Sequence, residues 1–334
     1  VKNTEALANP EALALYRALI QEQPDYPNRG WVSYQTGRVL LSENEAGEAV
    51  EMFRAALDEP SWIASLRSLC YERLGFVELF ERRNSAGALA YFAQAIEAYP
   101  PGENSGWLVQ LHILRSRALR EQKDYAGALD AARRALRAVD RSAPDYRLAY
   151  CEAHLAVGEA LAHFRGREED AIDHLVRFLQ LSRQPLGVDV TWGRVYETIG
   201  ALCLRLGRFD AAAAAFDTAL AYNPYHPLGD TLQLQIARAY YDHGDPARAA
   251  LTLEAMCATA DAEGDAILDY RVFSLLGDSY AAQGLYPRAI EAYTHALALI
   301  PGSGPEYAAL RQAYEAALGR VRQATSMDKP VAAR

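Results

Sequence analysis

From Phe273 onward, apolar and small residues fall at Leu276, Gly277 and Tyr280, and then at Tyr286, Ala289, Tyr293 and Ala296 before Pro301. Steps of three and four place each set on one stripe of an α-helix. Gly284 breaks the run between them, so the pattern predicts two helices joined by a tight turn. The same spacing recurs upstream as Tyr196, Ile199, Gly200 and Cys203, then Phe209, Ala212, Phe216, Ala219 and Pro224. More diverged copies keep the register: Gly37 leads to Ala49, Phe53, Ala56 and Pro60, and Gly75 to Ala88, Phe92, Ala95 and Pro100, with one extra residue in the turn. Ser116 leads to Tyr125, Ala128, Ala132 and Ala135. Gly158 leads to Ala171, Leu175 and Phe178, again with one residue more, and Ala237 leads to Ala249, Leu253 and Met256.

The small residues at 37, 75, 116, 158, 200, 237 and 277 define seven units with a period of 37 to 42 residues. The units around Gly200 and Gly277 show the geometry most plainly. The small residue lets the first helix approach the second, the alanine twelve residues later faces it, and the closing proline ends the second helix. Four positions depart from the pattern. Thr36 and Arg115 stand where a large aliphatic is expected, Glu78 where an apolar residue packs, and Pro246 where an aromatic is usual.

These residue types at these positions are the signature of the tetratricopeptide repeat, which the chain closely resembles in the units around Gly200 and Gly277. The period exceeds the 34 residues of the common form. In this it is similar to the longer repeats of kinesin light chain and of sensor domains in bacterial signal-transduction ATPases. The resemblance implies an all-α protein, an α-solenoid of helix-turn-helix repeats wound into a right-handed superhelix. Its expected activity is to bind other polypeptides, as a scaffold or sensor array and not as an enzyme. The layout expected is a half-repeat or capping helix in residues 1–29, seven repeats in 30–303, a capping helix in 304–323 and a disordered tail in 324–334. Val1 in place of methionine favours a piece of a longer protein over a processed terminus.

Composition narrows the partner. The net charge of −9 repels phosphate backbones, so nucleic acid is not an expected ligand. No apolar run reaches the roughly 18–20 residues that span a bilayer. Four dispersed cysteines without a CxxC pair suit a reducing, cytoplasmic setting. Arginine biased over lysine, with abundant alanine, suggests a bacterial source.

Stacked repeats leave a concave face lined by first helices. Positions six and three before the small residue, and one and four after it, should point into it. They give Trp31, Tyr34, Arg38 and Leu41; Glu72, Phe76 and Leu79; Gln110, Arg117 and Arg120; Glu152 and Glu159, with His163 beside the row; then Arg194 and Glu197, Arg238 and Tyr241, and Arg271 and Asp278. Guanidinium forks suit carboxylates and the aromatics offer flat anchors, so a protein or peptide with acidic residues is the expected partner. For any single residue the competing reading is a solvated helix face with Arg paired to Glu. Small-ligand sensing within a larger regulator is the alternative function, and self-association through the repeat ends is a further expectation. No metal or cofactor motif stands out. The closest is Cys151 with His154, a turn apart, which reads as core because a zinc site needs three or four converging ligands.

Overall fold

The computed structural model describes residues 10–100, 102, 105–144, 146–223, 229–263, 269–302 and 304–327, and among these it contains helices and no strand. The chain divides into two compact units, Val1–Gln184 and Pro185–Arg334.

In the first unit α1 (Pro10–Glu22) precedes four helix pairs. These are α2 (Arg29–Ser42) with α3 (Ala46–Asp58), α4 (Leu66–Phe76) with α5 (Ser85–Glu97), α6 (Ser105–Glu121) with α7 (Tyr125–Ala138), and α8 (Tyr146–Leu161) with α9 (Glu168–Leu181). A π-helical segment, Val77–Glu81, prolongs α4. The second unit holds three pairs and a final helix: α10 (Val190–Arg205) with α11 (Phe209–Tyr222), α12 (Gly229–Asp242) with α13 (Pro246–Glu263), α14 (Tyr270–Ala282) with α15 (Tyr286–Leu299), and then α16 (Pro305–Met327). Seven described pairs thus coincide with the seven sequence units. The last helix continues through residues 324–327, where the sequence suggested a tail; residues 328–334, like 1–9 and Pro224, lie outside the described part.

Packing within a pair follows the small residue. A Cβ on Gly37 would stand 2.7 Å from the ring of Phe53, and one on Gly200 would stand 2.8 Å from the ring of Phe216. Both rings are fully buried. The closest neighbour is therefore the large residue sixteen positions on, seated in the hollow that the missing side chain leaves, while the alanine predicted to face the glycine packs beside it. Where the third unit has Ala132 in place of that ring, Ser116 occupies the space and donates a 2.8 Å hydrogen bond to the Ala128 carbonyl.

The turn inside each pair contains one residue with positive φ: Asn44, Arg83, Lys123 and Gly166 in the first unit, and Gly207, Gly244 and Gly284 in the second. In five of them the next amide bonds the carbonyl five residues back, as in Asp124 to Leu119 and Leu285 to Tyr280. This is the left-handed closure that satisfies orphan helix carbonyls. Asn84 and Asp124 then cap the following helix through Gly87 N–H and Gly127 N–H.

The extra residue between Gly75 and Ala88 is absorbed by the π segment. It rotates Leu79, expected on the open face, into the core, where it is fully buried. Glu78 also turns inward, and its carboxylate accepts 2.8 Å and 2.7 Å hydrogen bonds from Arg82 and Asn84. That pins the turn at Arg83 and explains a buried acid at an apolar position. Thr36 satisfies its own hydroxyl by donating to Val32 O at 2.9 Å.

Candidate interaction face

In each unit first helices of successive pairs touch, α2 with α4 and α6 with α8 in the first and α12 with α14 in the second. Their exposed sides make the candidate site.

On the first unit this side is a row of alternating guanidinium and aromatic groups. The Arg38 guanidinium lies 6.0 Å from the Tyr34 ring centre and donates to Gln35 at 3.1 Å. Arg73 lies 5.9 Å from the Phe76 ring, Phe76 and Phe80 are 4.4 Å apart, and Arg117 covers Phe80 at 4.4 Å. A cleft of about 240 Å3 opens between α2 and α4, bordered by Arg38, Val39, Leu41, Arg73 and Phe76. Beneath it Glu72 is buried, 3.4 Å from Arg73. Burial pushes its carboxyl above the ordinary range, and Arg73 and Arg38 oppose that shift.

Several residues expected on the open face are spent internally. Tyr34 is 2% exposed and packed 5.8 Å from Phe53, with the Arg73 charge close by, so it is a core residue and not an anchor. Trp31 stacks on it at 5.2 Å and is half-buried. Arg120 bridges to Glu159 on the next first helix at 2.6 Å. Gln110 bonds Glu152 across the same pair of helices. His163 stacks on Tyr125 at 3.9 Å, at the start of α7, and so sits at the turn end. Arg73 and Phe80 join the row without having been expected there. Arg73 falls between the positions the repeat spacing selects, and the π segment shifts Phe80 by one residue.

The second unit is more open. A cavity of about 800 Å3 is lined by Thr231, Leu234 and Arg238 of α12, Arg271, Ser274 and Asp278 of α14, Leu204 and Phe209 at the α10–α11 turn, and Leu310 and Tyr314 of α16. The α12 and α14 residues among these occupy the positions six and three before, and one after, the small residue. Arg271 is held by Asp269 at 2.5 Å, and Asp278 accepts the Tyr293 hydroxyl at 2.5 Å. Burial first, and then this bond, raise the phenol's pKa. Tyr241 is half-buried beside Asp278, while Arg194 is exposed and Glu197 half-buried on α10, outside the cavity lining.

Among the described residues no group of three or more His, Cys, Asp or Glu could hold a metal ion, and no helix is long and apolar enough to cross a membrane. His154 is buried with its Nδ1 3.0 Å from His174 Nδ1, and the Cys151 thiol reaches the Phe178 carbonyl. Burial, and then the neighbouring His174, lower the His154 pKa to about 4.

Stacked helix pairs with small residues at the contact and an exposed first-helix side define a helical-repeat protein. Residues 202–266 and 234–304 match a tetratricopeptide repeat model. Solved structures agree in fold. The C-terminal part of a TPR repeat-containing protein from Cytophaga hutchinsonii is 16% identical, with a TM-score of 0.59 over 81% of this chain and 96% of that one. The apo form of RapI is 12% identical, with a TM-score of 0.58 over 98% and 96%. The Cut9–Hcn1 hetero-tetramer of APC/C is 14% identical, with a TM-score of 0.53 over 83% and 47%. Residues 202–304 thus carry the tetratricopeptide repeat signature, and the described chain as a whole shares the fold of tetratricopeptide repeat structures. No curated protein matches it in sequence. The fold suggests a scaffold for protein or peptide interaction, and proteins built from this repeat are generally non-enzymatic.

Proposed function

We propose that the chain is a cytoplasmic interaction module whose partner is a peptide segment carrying acidic and apolar residues, bound along the first-helix side of the first unit. The row Arg38, Arg73, Phe76, Phe80 and Arg117 carries this reading. It sets cations beside flat apolar surface in a protein whose net charge is −9. A carboxylate gains a charge-assisted fork there while a neighbouring apolar side chain covers Phe76. Three of the four cysteines are buried and all are free, which supports a reducing compartment.

Selection from a displayed peptide library tests this with the wild type and an Arg38→Glu/Arg117→Glu variant. The wild type should enrich peptides with acidic residues next to aromatic or aliphatic ones, and the variant should lose them. Equal recovery of the same peptides by both would overturn the assignment. Arg120 is left intact because its bond to Glu159 holds α6 to α8.

A second reading, small-ligand sensing, is favoured by one observation, the cavity of the second unit. Its volume lies in the range of roughly 300–1,000 Å3 typical of small-molecule sites.

A further inference from the structure

We infer that the chain associates end to end, α16 of one copy and α1 of the next completing a repeat pair in which the Tyr16 ring enters a hollow at Gly319. The partner is a second copy of this chain, and the inference stands apart from both readings of the inner face.

The hollow follows from register. Gly319 comes 42 residues after Gly277, within the period of the seven units. Ala317, Leu318 and Val321 stand two and one before it and two after it, and all three are buried. Leu275, Leu276 and Ser279 are buried at the same positions around Gly277, so α16 is set as a first helix. In the pairs behind it the hollow is filled. A Cβ on Gly37, Gly75, Gly158, Gly200 or Gly277 would stand between 2.6 and 2.9 Å from a side chain of the second helix. A Cβ on Gly319 would meet no described atom within 4 Å.

The matching half lies on α1. Ala12, Tyr16, Leu19 and Pro24 repeat the spacing of Ala289, Tyr293, Ala296 and Pro301, so α1 is built as a second helix. It rests on α2 through Leu13, which is buried. Ala12, Tyr16 and Leu19 are only half-buried, whereas Ala49, Phe53 and Ala56 of α3 are 1% exposed or less. Seating the ring in the hollow removes apolar surface from water on both copies.

Charge favours one end meeting the other. In two pairs the residue three after the small one meets the residue five before the lodged side chain. The Arg248 guanidinium lies 5.6 Å from the Tyr240 ring, and that of Arg288 lies 5.6 Å from the Tyr280 ring. The same two positions hold Arg322 on α16 and Glu11 on α1, both exposed. Pairing α16 with α1 therefore sets a guanidinium against a carboxylate. Two copies of α16 would offer two hollows and no ring, and two of α1 the reverse. The contact is heterologous, so each copy keeps one end for a further copy.

Sedimentation velocity of the full chain over a concentration series tests this. The wild type should pass from monomer to dimer and larger species as concentration rises. Gly319→Leu fills the hollow at an open helical position with a better helix former, so it should keep or raise the melting temperature. It should weaken association about tenfold or more, as overpacking does. Tyr16→Ala, which removes the ring, should weaken it similarly. The two variants block different ends, so their equimolar mixture should form a dimer and stop there. Glu11→Arg or Arg322→Glu alone should weaken association up to about fivefold, and both in one chain should restore it. Circular dichroism verifies folding; should Tyr16→Ala not fold, Ala12→Arg on the same stripe takes its place in the mixture. A wild type that stays monomeric, Gly319→Leu associating as the wild type does, a mixture without the dimer, or a charge swap that fails to restore would each overturn the inference. Arg38→Glu/Arg117→Glu should assemble as the wild type does, so failure of the peptide reading is scored separately.

Discussion

The two units use one repeat spacing and reach opposite inner surfaces. In the first, long side chains on adjacent first helices reach each other: Arg73 to Tyr34, Gln110 to Glu152, and Arg120 to Glu159. Space closes to a cleft of about 240 Å3. In the second, Leu234 and Ser274 occupy the position that Tyr34 holds in the first, and Arg271 turns back to its own helix cap Asp269, so about 800 Å3 stays open. The backbone repeat sets where an inner face lies. The length and charge of three or four side chains per helix set whether it is filled or hollow.

The largest effect tests what the units share. Replacing the ring lodged against the small residue, Phe92→Ala in the first unit or Phe216→Ala in the second, should cost about 3–5 kcal/mol, since both are fully buried. Hydrogen exchange should show protection lost first around α4 and α5 in the one and around α10 and α11 in the other. Equal loss along the whole chain from either variant would break the picture of locally built pairs.

The next effect separates the units. His154 and His112, both buried in the first unit, have pKa values lowered to about 4, in each case chiefly by burial. The unfolded chain then holds more protons than the folded one between pH 6.5 and about 4. Their contribution is complete above pH 6.5 and declines as pH falls through that window. Described histidines of the second unit, His243 and His295, are exposed. Exchange protection of α6 to α9 should therefore fall on acidification more than that of α12 to α15, and a His154→Asn/His112→Asn variant should flatten the difference. An equal response of the two units would remove it.

The smallest effect lies in the turns. Three of four in the first unit place a residue other than glycine at positive φ, and all three in the second use glycine. Lys123→Gly should stabilise by up to about 1 kcal/mol, and Gly207→Ala should destabilise by about the same, because a Cβ is disfavoured in the left-handed region. Thermal melts of the two variants should shift in opposite directions.

Much of the fold was legible because it is specified locally. Helix stripes, turn residues and the small-to-large pairing all act within about forty residues of chain. Placement on the first-helix side was legible where the register is plain, as at Arg238, Arg271 and Asp278, which line the cavity. It was misread where a neighbour intervenes. Tyr34 became core because its ring packs between Trp31 and Phe53, and Leu79 yielded its place to Phe80 because the added residue was taken up inside α4 as a π segment and not in the turn.

The sequence by itself determined the number of helix pairs, their order and the stripe each one buries, since these follow from periodicity and short-range turn chemistry. Only the tertiary structure decided which inner residues remain available. That depends on reach between helices forty residues apart in sequence: Arg120 meeting Glu159 closes one face, and Leu310 and Tyr314 of the final helix wall off the other as a cavity. Contacts of that range are set by side-chain length and helix position together, and spacing along one helix carries no information about either partner.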